Sequence, residues 1–231
     1  MLFDAKVLTA MLGAMALVCF ALLLILARYR RLLREQERRH ATQEQRIRHL
    51  AYHDPLTSLP NRASFTEHLE EAMRRAKRAG QPLGLLFVDL DLFKRVNDSL
   101  GHDAGDRLLR AAAERIRRAV READMLFRMG GDEFTVLLEK VGGPEEAALV
   151  ADRVLEAIAE PLPAHEISVS ASVGIALYPH DGTASERLLK SADAAMYRAK
   201  ELGRNRYEFF AREISARASI HSGDSLRQLA R

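Results

Sequence analysis

An apolar run of eight residues, Leu83 to Leu90, places the strongest limit on how this chain can fold. Gly80 and Pro82 stop the helical pattern before it, and acidic residues follow it directly. A short apolar run between such breaks is typical of a buried strand. The rest of the chain therefore has to supply elements that cover this strand.

Helical and strand patterns alternate on both sides of that run. Helices are predicted over residues 62–79, 104–120, 144–159 and 185–202, and strands are predicted on either side of a glycine pair at 130–131, over 167–178 and over 206–210. Gly80 ends the first of these helices, and Asp103 caps the second. Such an order predicts an α/β sandwich, with a central mixed or antiparallel sheet flanked by helices.

The segment from Val7 to Ala27 is an uncharged run of about 21 residues, long enough to span a bilayer as one helix. It lacks the basic start of a cleaved signal peptide, so a transmembrane anchor over residues 1–27 is favoured. Arginines cluster between Arg28 and Arg39, and the positive-inside rule then places the remaining chain in the cytoplasm. We expect a single-pass protein of the inner (cytoplasmic) membrane.

Residues 28–51 contain neither proline nor glycine and suit a helical linker that continues from the anchor. Leu26, Leu33 and Ile47 share one heptad position, which favours a coiled coil, although polar residues interrupt the seam. The alternative is an arginine-rich helix lying over anionic lipid headgroups. Both interpretations remain open.

Acidic residues stand where strands are predicted to end. Asp89 and Asp91 close the apolar run, while Asp132 and Glu133 follow the glycine pair. Mg²⁺ takes one or two protein carboxylates and completes its shell with water and substrate phosphates, and two such ions can assist nucleotidyl transfer. The two glycines would let backbone amides approach a phosphate closely. If the hairpin pairs beside the first strand, these carboxylates converge on one site.

Four motifs together resemble the GGDEF family of diguanylate cyclases: DPLTSLPNR (54–62), DLDLFKRVNDSLGHDAGD (89–106), RMGGDEF (128–134) and SADAAMYRAKELGRNR (191–206). The similarity identifies residues 52–210 as a GGDEF catalytic domain. It implies a fold similar to nucleotide cyclase and polymerase palm domains, and the condensation of two GTP into cyclic di-GMP and two pyrophosphates. It also implies a homodimer, in which each 3′-hydroxyl attacks the α-phosphate held by the partner.

The resemblance assigns roles to individual residues. Two Mg²⁺ or Mn²⁺ ions per active site would be held by Asp89, the Leu90 carbonyl, Asp132 and Glu133. Asp132 and Glu133 would also be catalytic. The substrate would contact Phe93, Lys94, Asn97, Asp106, Gly130, Gly131, Lys200 and Arg204. Within that set, Asn97 and Asp106 are similar to the pair that reads guanine, and Lys200 and Arg204 to the ligands of the triphosphate.

Arg121 and Asp124, spaced RxxD before the glycine pair, resemble the family's inhibitory product site together with Arg153. An arginine can stack on guanine and pair with phosphate. The same spacing also suits a plain surface ion pair. The position relative to the glycine pair favours feedback inhibition by cyclic di-GMP.

Other chemistries find little support in the sequence. Cys19 is the single cysteine, and neither a Cys/His metal spacing nor a nucleophile triad is present. Basic residues without interleaved aromatics argue against nucleic-acid binding. The alternative to a synthase is a catalytically weak regulatory module that binds GTP or cyclic di-GMP. Residues 211–231 are predicted to form a helical tail, similar to the helix that leads into EAL phosphodiesterase domains.

Overall fold

A computed structural model describes residues 51–161 and 169–210, together with scattered helical positions between residues 7 and 36. Residues 1–51 and 52–231 form two compact units. The described part of the second unit contains, in chain order, α1 (Arg62–Ala79), β1 (Leu83–Leu90), α2 (Phe93–Leu100), α3 (His102–Ala119), β2 (Met125–Gly130), β3 (Glu133–Leu138), α4 (Pro144–Ala159), β4 (Ala171–Tyr178), α5 (Ser185–Glu201) and β5 (Arg206–Phe209).

The strands form one sheet in the order β2-β3-β1-β4-β5. Neighbouring strands are antiparallel except for β4 and β5, which run parallel. The predicted mixed sheet flanked by helices is therefore confirmed. The buried run predicted from the sequence becomes β1, the central strand, with all eight of its residues buried.

Alternate side chains of β1 enter two separate hydrophobic clusters, because successive residues of a strand point to opposite faces. Leu86 and Val88 pack with α3 and α4, whereas Leu85 and Phe87 pack with α1 and α5. The sheet is thus covered on both faces by pairs of helices. Asp89 has the parity of Leu85 and Phe87, which puts its carboxylate on the face that α1 and α5 cover.

The sequence pattern missed one helix and misplaced one cap. α2 follows β1 directly, and Gly101 at φ 81° separates it from α3. Because α3 already begins at His102, Asp103 lies inside its first turn and does not cap it. The predicted end of α1 at Gly80 is confirmed: this glycine adopts the left-handed conformation at φ 64° and donates its N–H to the Ala76 carbonyl.

Two predicted segments lie largely or wholly outside the described residues. The anchor and linker over residues 1–51 are described only at scattered positions, and those between 7 and 36 are helical. The tail over 211–231 is not described. Among the positions that the structure does describe, no helix combines the length and apolar character needed to cross a membrane.

The backbone of α5 lies directly against β4 at Gly174. A Cβ atom at this position would overlap the carbonyl oxygen of Ala192 and the backbone nitrogen of Met196. Both are backbone atoms of α5, which cannot rotate away as a side chain would. Gly174 therefore sets the distance between β4 and the helix that carries Lys200.

Gly174→Ala should lower the free energy of unfolding by about 3 kcal/mol, because α5 has to move off the sheet to admit the methyl group. Chemical denaturation of the full chain measures this change. Gly84→Ala is the matched control, since its Cβ would meet only side-chain atoms, of Leu138 at 3.3 Å and of Leu177 at 3.6 Å, and no backbone atom. An equal loss in both variants would show that the close approach of α5 is not the cause.

Candidate active site

The pairing of β1 with β3 brings two predicted carboxylates together. Asp89 and Glu133 stand opposite each other across the antiparallel pair, so the convergence expected from the sequence is confirmed for these two residues. Side chains of directly opposed residues lie about 5 Å apart at their Cβ atoms. Both point to the face that α5 covers.

A lysine from α5 completes this group. The Nζ of Lys200 lies 2.7 Å from Oδ1 of Asp89, which is only 6% exposed. Burial raises the pKa of Asp89, and the nearby Asp132 and Asp91 carboxylates add to that rise. Lys200 opposes it by a hydrogen bond and by its charge, without cancelling it. Asp89 is thus a buried carboxylate whose negative charge is only partly balanced by Lys200.

Glu133 has still less positive charge around it. Burial raises its pKa first, followed by repulsion from Asp89, Asp193 and Asp132, while Lys200 lowers it. Glu133 is the first residue of β3. Asp132 does lie in the turn, and its carbonyl accepts the N–H of Leu90 at 3.3 Å. The four predicted metal ligands therefore come from two adjacent strand ends.

These residues fit a hard divalent cation. Buried carboxylates that repel one another gain most from a bound positive charge. In the described residues no three His, Cys, Asp or Glu side chains are arranged to hold a metal ion by themselves. Mg²⁺ does not require three, because it takes one or two carboxylates and its other ligands from water and phosphate. The carboxylate pair thus suits a cation that arrives with a phosphate ligand.

A buried arginine, Arg128, holds the glycine turn through a hydrogen bond to its backbone. Gly130 and Gly131 have φ angles of 139° and 51°, a region that favours glycine. Arg128 donates to the Gly131 carbonyl from Nη2 at 2.6 Å and to Oδ1 of Asp54 from Nη1 at 2.8 Å. Asp54 also accepts the N–H and the hydroxyl of Thr57. One arginine therefore connects the first motif of the domain to the turn.

Burial alone would raise the pKa of Asp54, but the hydrogen bonds from Thr57 and Arg128 outweigh it and hold that pKa below its usual range. The sequence analysis gave neither Asp54 nor Arg128 a role. The aspartate and the threonine three residues later form a turn that is recognisable from sequence. The distant arginine partner, 74 positions along the chain, had no comparable signal.

An unpaired side-chain oxygen lies where α2 packs against α3. Oδ1 of Asn97 is buried and finds no hydrogen-bond partner among the described residues. It sits against Gly105, where a Cβ atom would overlap it and would also come within 3.2 Å of Phe93. Asp106 follows Gly105 on α3 and is half-buried. A buried oxygen without a donor is costly unless a ligand supplies one, so Asn97 suits a molecule with N–H groups.

The remaining predicted substrate residues differ in their surroundings. Arg204 lies in the turn after α5, 4.0 Å from the buried Asp91 carboxylate. Lys94 is exposed on α2. Asp91, which the sequence grouped with the other acidic residues, is held by hydroxyl groups of Ser170 and Ser172. The structure therefore separates Asp91 from the metal-type carboxylates.

The three residues of the predicted inhibitory site lie close enough to interact. Asp124 accepts the Arg121 N–H at 3.0 Å, and burial raises its pKa while the charges of Arg121 and Arg153 lower it. Nε of Arg153 is buried without a hydrogen-bond partner among the described residues. A fourth residue was not predicted: Glu146 on α4 pairs with Nη1 of Arg121 at 2.5 Å. The cluster thus contains two arginines, of which Arg121 is already paired with Glu146.

Comparisons with known proteins agree with this geometry. A sequence profile described as "Diguanylate cyclase, GGDEF domain" matches residues 51–206. The bifunctional diguanylate cyclase/cyclic di-GMP phosphodiesterase MucR of Pseudomonas aeruginosa is 48% identical over 171 residues, which is 73% of this chain and 25% of MucR. The solved structure of an N-terminally truncated TpbB from P. aeruginosa, comprising only the GGDEF domain, superposes with a TM-score of 0.70 at 40% identity, covering 72% of this chain and 99% of that one.

A third relative was solved with a ligand. The coiled coil and GGDEF domain of DgcB from Caulobacter crescentus, in complex with c-di-GMP, gives a TM-score of 0.69 at 28% identity and covers 79% of this chain and 97% of that one. The chain belongs to the GGDEF family of diguanylate cyclase domains. It spans about a quarter of the length of MucR, the first of these curated relatives.

Glu133→Gln should raise the melting temperature at pH 7 in a buffer that contains a chelator. The sign follows from the pKa: because folding raises it, the ionised carboxylate destabilises the folded state once the pH exceeds the ordinary pKa of a glutamate. Below that pKa both states bind the proton, and the advantage of glutamine should disappear. Melting curves of the variant and the wild type, recorded between about pH 3 and pH 7 to span the ordinary pKa of a glutamate, measure the difference. A variant less stable than wild type at pH 7 would contradict the raised pKa.

Proposed function

We propose that this chain is a diguanylate cyclase that condenses two GTP into cyclic di-GMP and two pyrophosphates. The observation that supports it most is a pair of carboxylates, the buried Asp89 and the half-buried Glu133, beside Lys200. This pair lies next to the Gly130-Gly131 turn, whose backbone is suited to binding phosphate. Several relatives carry the name diguanylate cyclase, which favours this reaction over other phosphoryl transfers.

Two Mg²⁺ or Mn²⁺ ions per active site would be held by Asp89, the Leu90 carbonyl, Asp132 and Glu133. When bound, such ions neutralise phosphate charge and make the attacking hydroxyl more acidic. Glu133, in the same carboxylate cluster, would help to accept the proton from the 3′-hydroxyl. Lys200 would exchange its contact with Asp89 for one with the triphosphate once a cation takes the carboxylate.

The pocket of Asn97 and Asp106 would select guanine. The unpaired Oδ1 of Asn97 can accept an N–H from the base, and the Asp106 carboxylate can accept others. Adenine presents a different order of donors and acceptors and would leave buried groups unpaired, which is how such a pocket rejects an analogue. Phe93 packs beside Gly105 and would form a wall of this pocket, and Lys94 would reach the phosphates from solvent.

Catalysis would require a homodimer, because each domain would hold one GTP and the product contains two guanosines. We propose that residues 1–27 anchor the chain in the inner membrane and leave the domain in the cytoplasm, while residues 28–51 pair as a coiled coil or lie on the lipid surface. Confining two domains to one surface raises their effective concentration. This would favour the encounter that the reaction needs.

The cluster of Arg121, Asp124 and Arg153 would bind the product and inhibit synthesis. Its unpaired Arg153 Nε is a donor available to a phosphate or to guanine. The structure of DgcB with c-di-GMP supports a ligand of this kind for the family. Glu146 would have to release Arg121 before that arginine could bind the ligand.

Asp132→Ala should reduce synthesis of cyclic di-GMP from GTP and Mg²⁺ by about 100-fold or more, since it removes a ligand of the cation. Chromatography of product and pyrophosphate from the purified full chain measures the rate. Asp152→Ala, an exposed aspartate on α4, is the control and should retain it. If the wild-type chain binds GTP but makes no product at concentrations that force dimers, the regulatory binding module becomes the better account.

Glu146→Gln should tighten binding of cyclic di-GMP by about two- to fivefold, because it removes an anion that competes for Arg121 at an exposed pair. Isothermal titration calorimetry of the full chain gives the affinity. Glu145→Gln changes the same charge on the same turn of α4 and should leave the affinity unchanged. Weaker binding by Glu146→Gln would mean that the glutamate orients Arg121 and does not obstruct it.

A further inference from the structure

A buried carboxylate outside the predicted metal set connects three segments near the active site. Asp91 is 3% exposed and follows β1 directly. Its carboxylate accepts the hydroxyl of Ser170 at 2.6 Å, just before β4, and that of Ser172 at 2.7 Å, the second residue of β4. It also accepts the backbone N–H of Asn205 at 3.2 Å, in the turn between α5 and β5. Asp91 thus ties two strand ends to that turn.

The turn adopts a conformation that side chains disfavour. Arg204 and Asn205 have φ angles of 63° and 47°. A left-handed conformation is unfavourable for a residue with a side chain, and it persists only where the surrounding structure holds it. The Arg204 N–H bonds to the Ala199 carbonyl at 3.0 Å, which closes α5, and the Asn205 N–H bonds to Asp91. Asp91 therefore stabilises the backbone that aims the Arg204 side chain.

Two carboxylates of the same strand end face the two cations of α5 and its following turn. Lys200 contacts Asp89 directly at 2.7 Å, whereas Nε of Arg204 stays 4.0 Å from Asp91. The Arg204 side chain is 48% exposed, so its guanidinium can reach a ligand in solvent while its carboxylate neighbour remains buried. Asp91 has its oxygens occupied by fixed donors, and so it is poorly suited to hold a cation itself.

We propose that Asp91 is a positioning residue that presents Arg204 to the phosphates of the nucleotide. This proposal rests on the proposed function, in which Arg204 binds the triphosphate. The negative charge of Asp91 keeps the Arg204 guanidinium near the end of β1. The hydrogen bond that Asp91 accepts from the Asn205 N–H fixes the turn from which Arg204 extends. Asp91 would act through Arg204 and would touch neither the substrate nor a metal ion.

Asp91→Asn keeps the shape and can still bond to the serine hydroxyls, but it removes the charge that faces Arg204. Titration of the full chain with a non-hydrolysable GTP analogue in the presence of Mg²⁺ should show binding weakened by about tenfold. In an Arg204→Ala background the same substitution should weaken binding by less than about twofold, because its route of action is already lost. Equal effects in both backgrounds would overturn the proposal.

Asp181→Asn is the matched control for the loss of a buried carboxylate. Asp181 is 7% exposed and accepts the Leu177 N–H at 2.7 Å, beyond the other end of β4. It should lower the melting temperature and leave the affinity for the analogue unchanged. If it weakens binding as much as Asp91→Asn does, a general loss of stability explains both, and the proposal fails.

Ser170→Ala removes one hydrogen bond to the Asp91 carboxylate and leaves its charge in place. If Asp91→Asn does not fold, Ser170→Ala replaces it in the double-mutant cycle with Arg204→Ala. Binding of the analogue is independent of turnover. A wild-type chain that binds the analogue and makes no cyclic di-GMP would therefore contradict the proposed reaction, while the cycle would still decide the role of Asp91. Absence of binding by the wild-type chain would overturn both proposals.

Discussion

The antiparallel pairing of β1 with β3 is the contact on which the candidate active site depends. Its register sets Asp89 opposite Glu133 and directs both toward α5. Side chains alternate along a strand, so a slip of one residue would turn Asp89 toward α3 and α4 and Leu90 toward Lys200. The hydrophobic clusters on the two faces prevent that slip, because it would exchange their members. Core packing thus fixes the position of the charged groups.

Carboxylates around this site fall into two kinds. Asp54 and Asp91 are surrounded by fixed donors, from Thr57 and Arg128 in one case and from the serine hydroxyls in the other. Asp89 and Glu133 have raised pKa values, because burial and repulsion from neighbouring carboxylates outweigh the charge of Lys200. The first kind holds loops in place, while the second retains an unbalanced negative charge for a ligand to satisfy.

Local signals made much of this arrangement predictable from sequence. The apolar run of β1 and the glycine after α1 were each recognisable within a few residues, and the motifs then indicated the carboxylates. α2 was missed because its eight residues contain no buried position to give a periodic pattern. The bonds of Asp91 to Ser170 and of Arg128 to Asp54 join residues more than 70 positions apart. Such contacts depend on the tertiary fold, which no short window of sequence encodes.

If the unbalanced carboxylates bind a cation or nucleotide as proposed, the lifetime of the protein would also depend on that ligand. A cation or nucleotide that binds only the folded state raises the free energy of unfolding in proportion to the logarithm of its concentration. Proteolysis of transiently opened molecules follows that free energy when opening is rapid. A chain with Asp89 and Glu133 left unneutralised would then be degraded sooner than one in use. Supply of substrate would in this way regulate the amount of the protein as well as its rate.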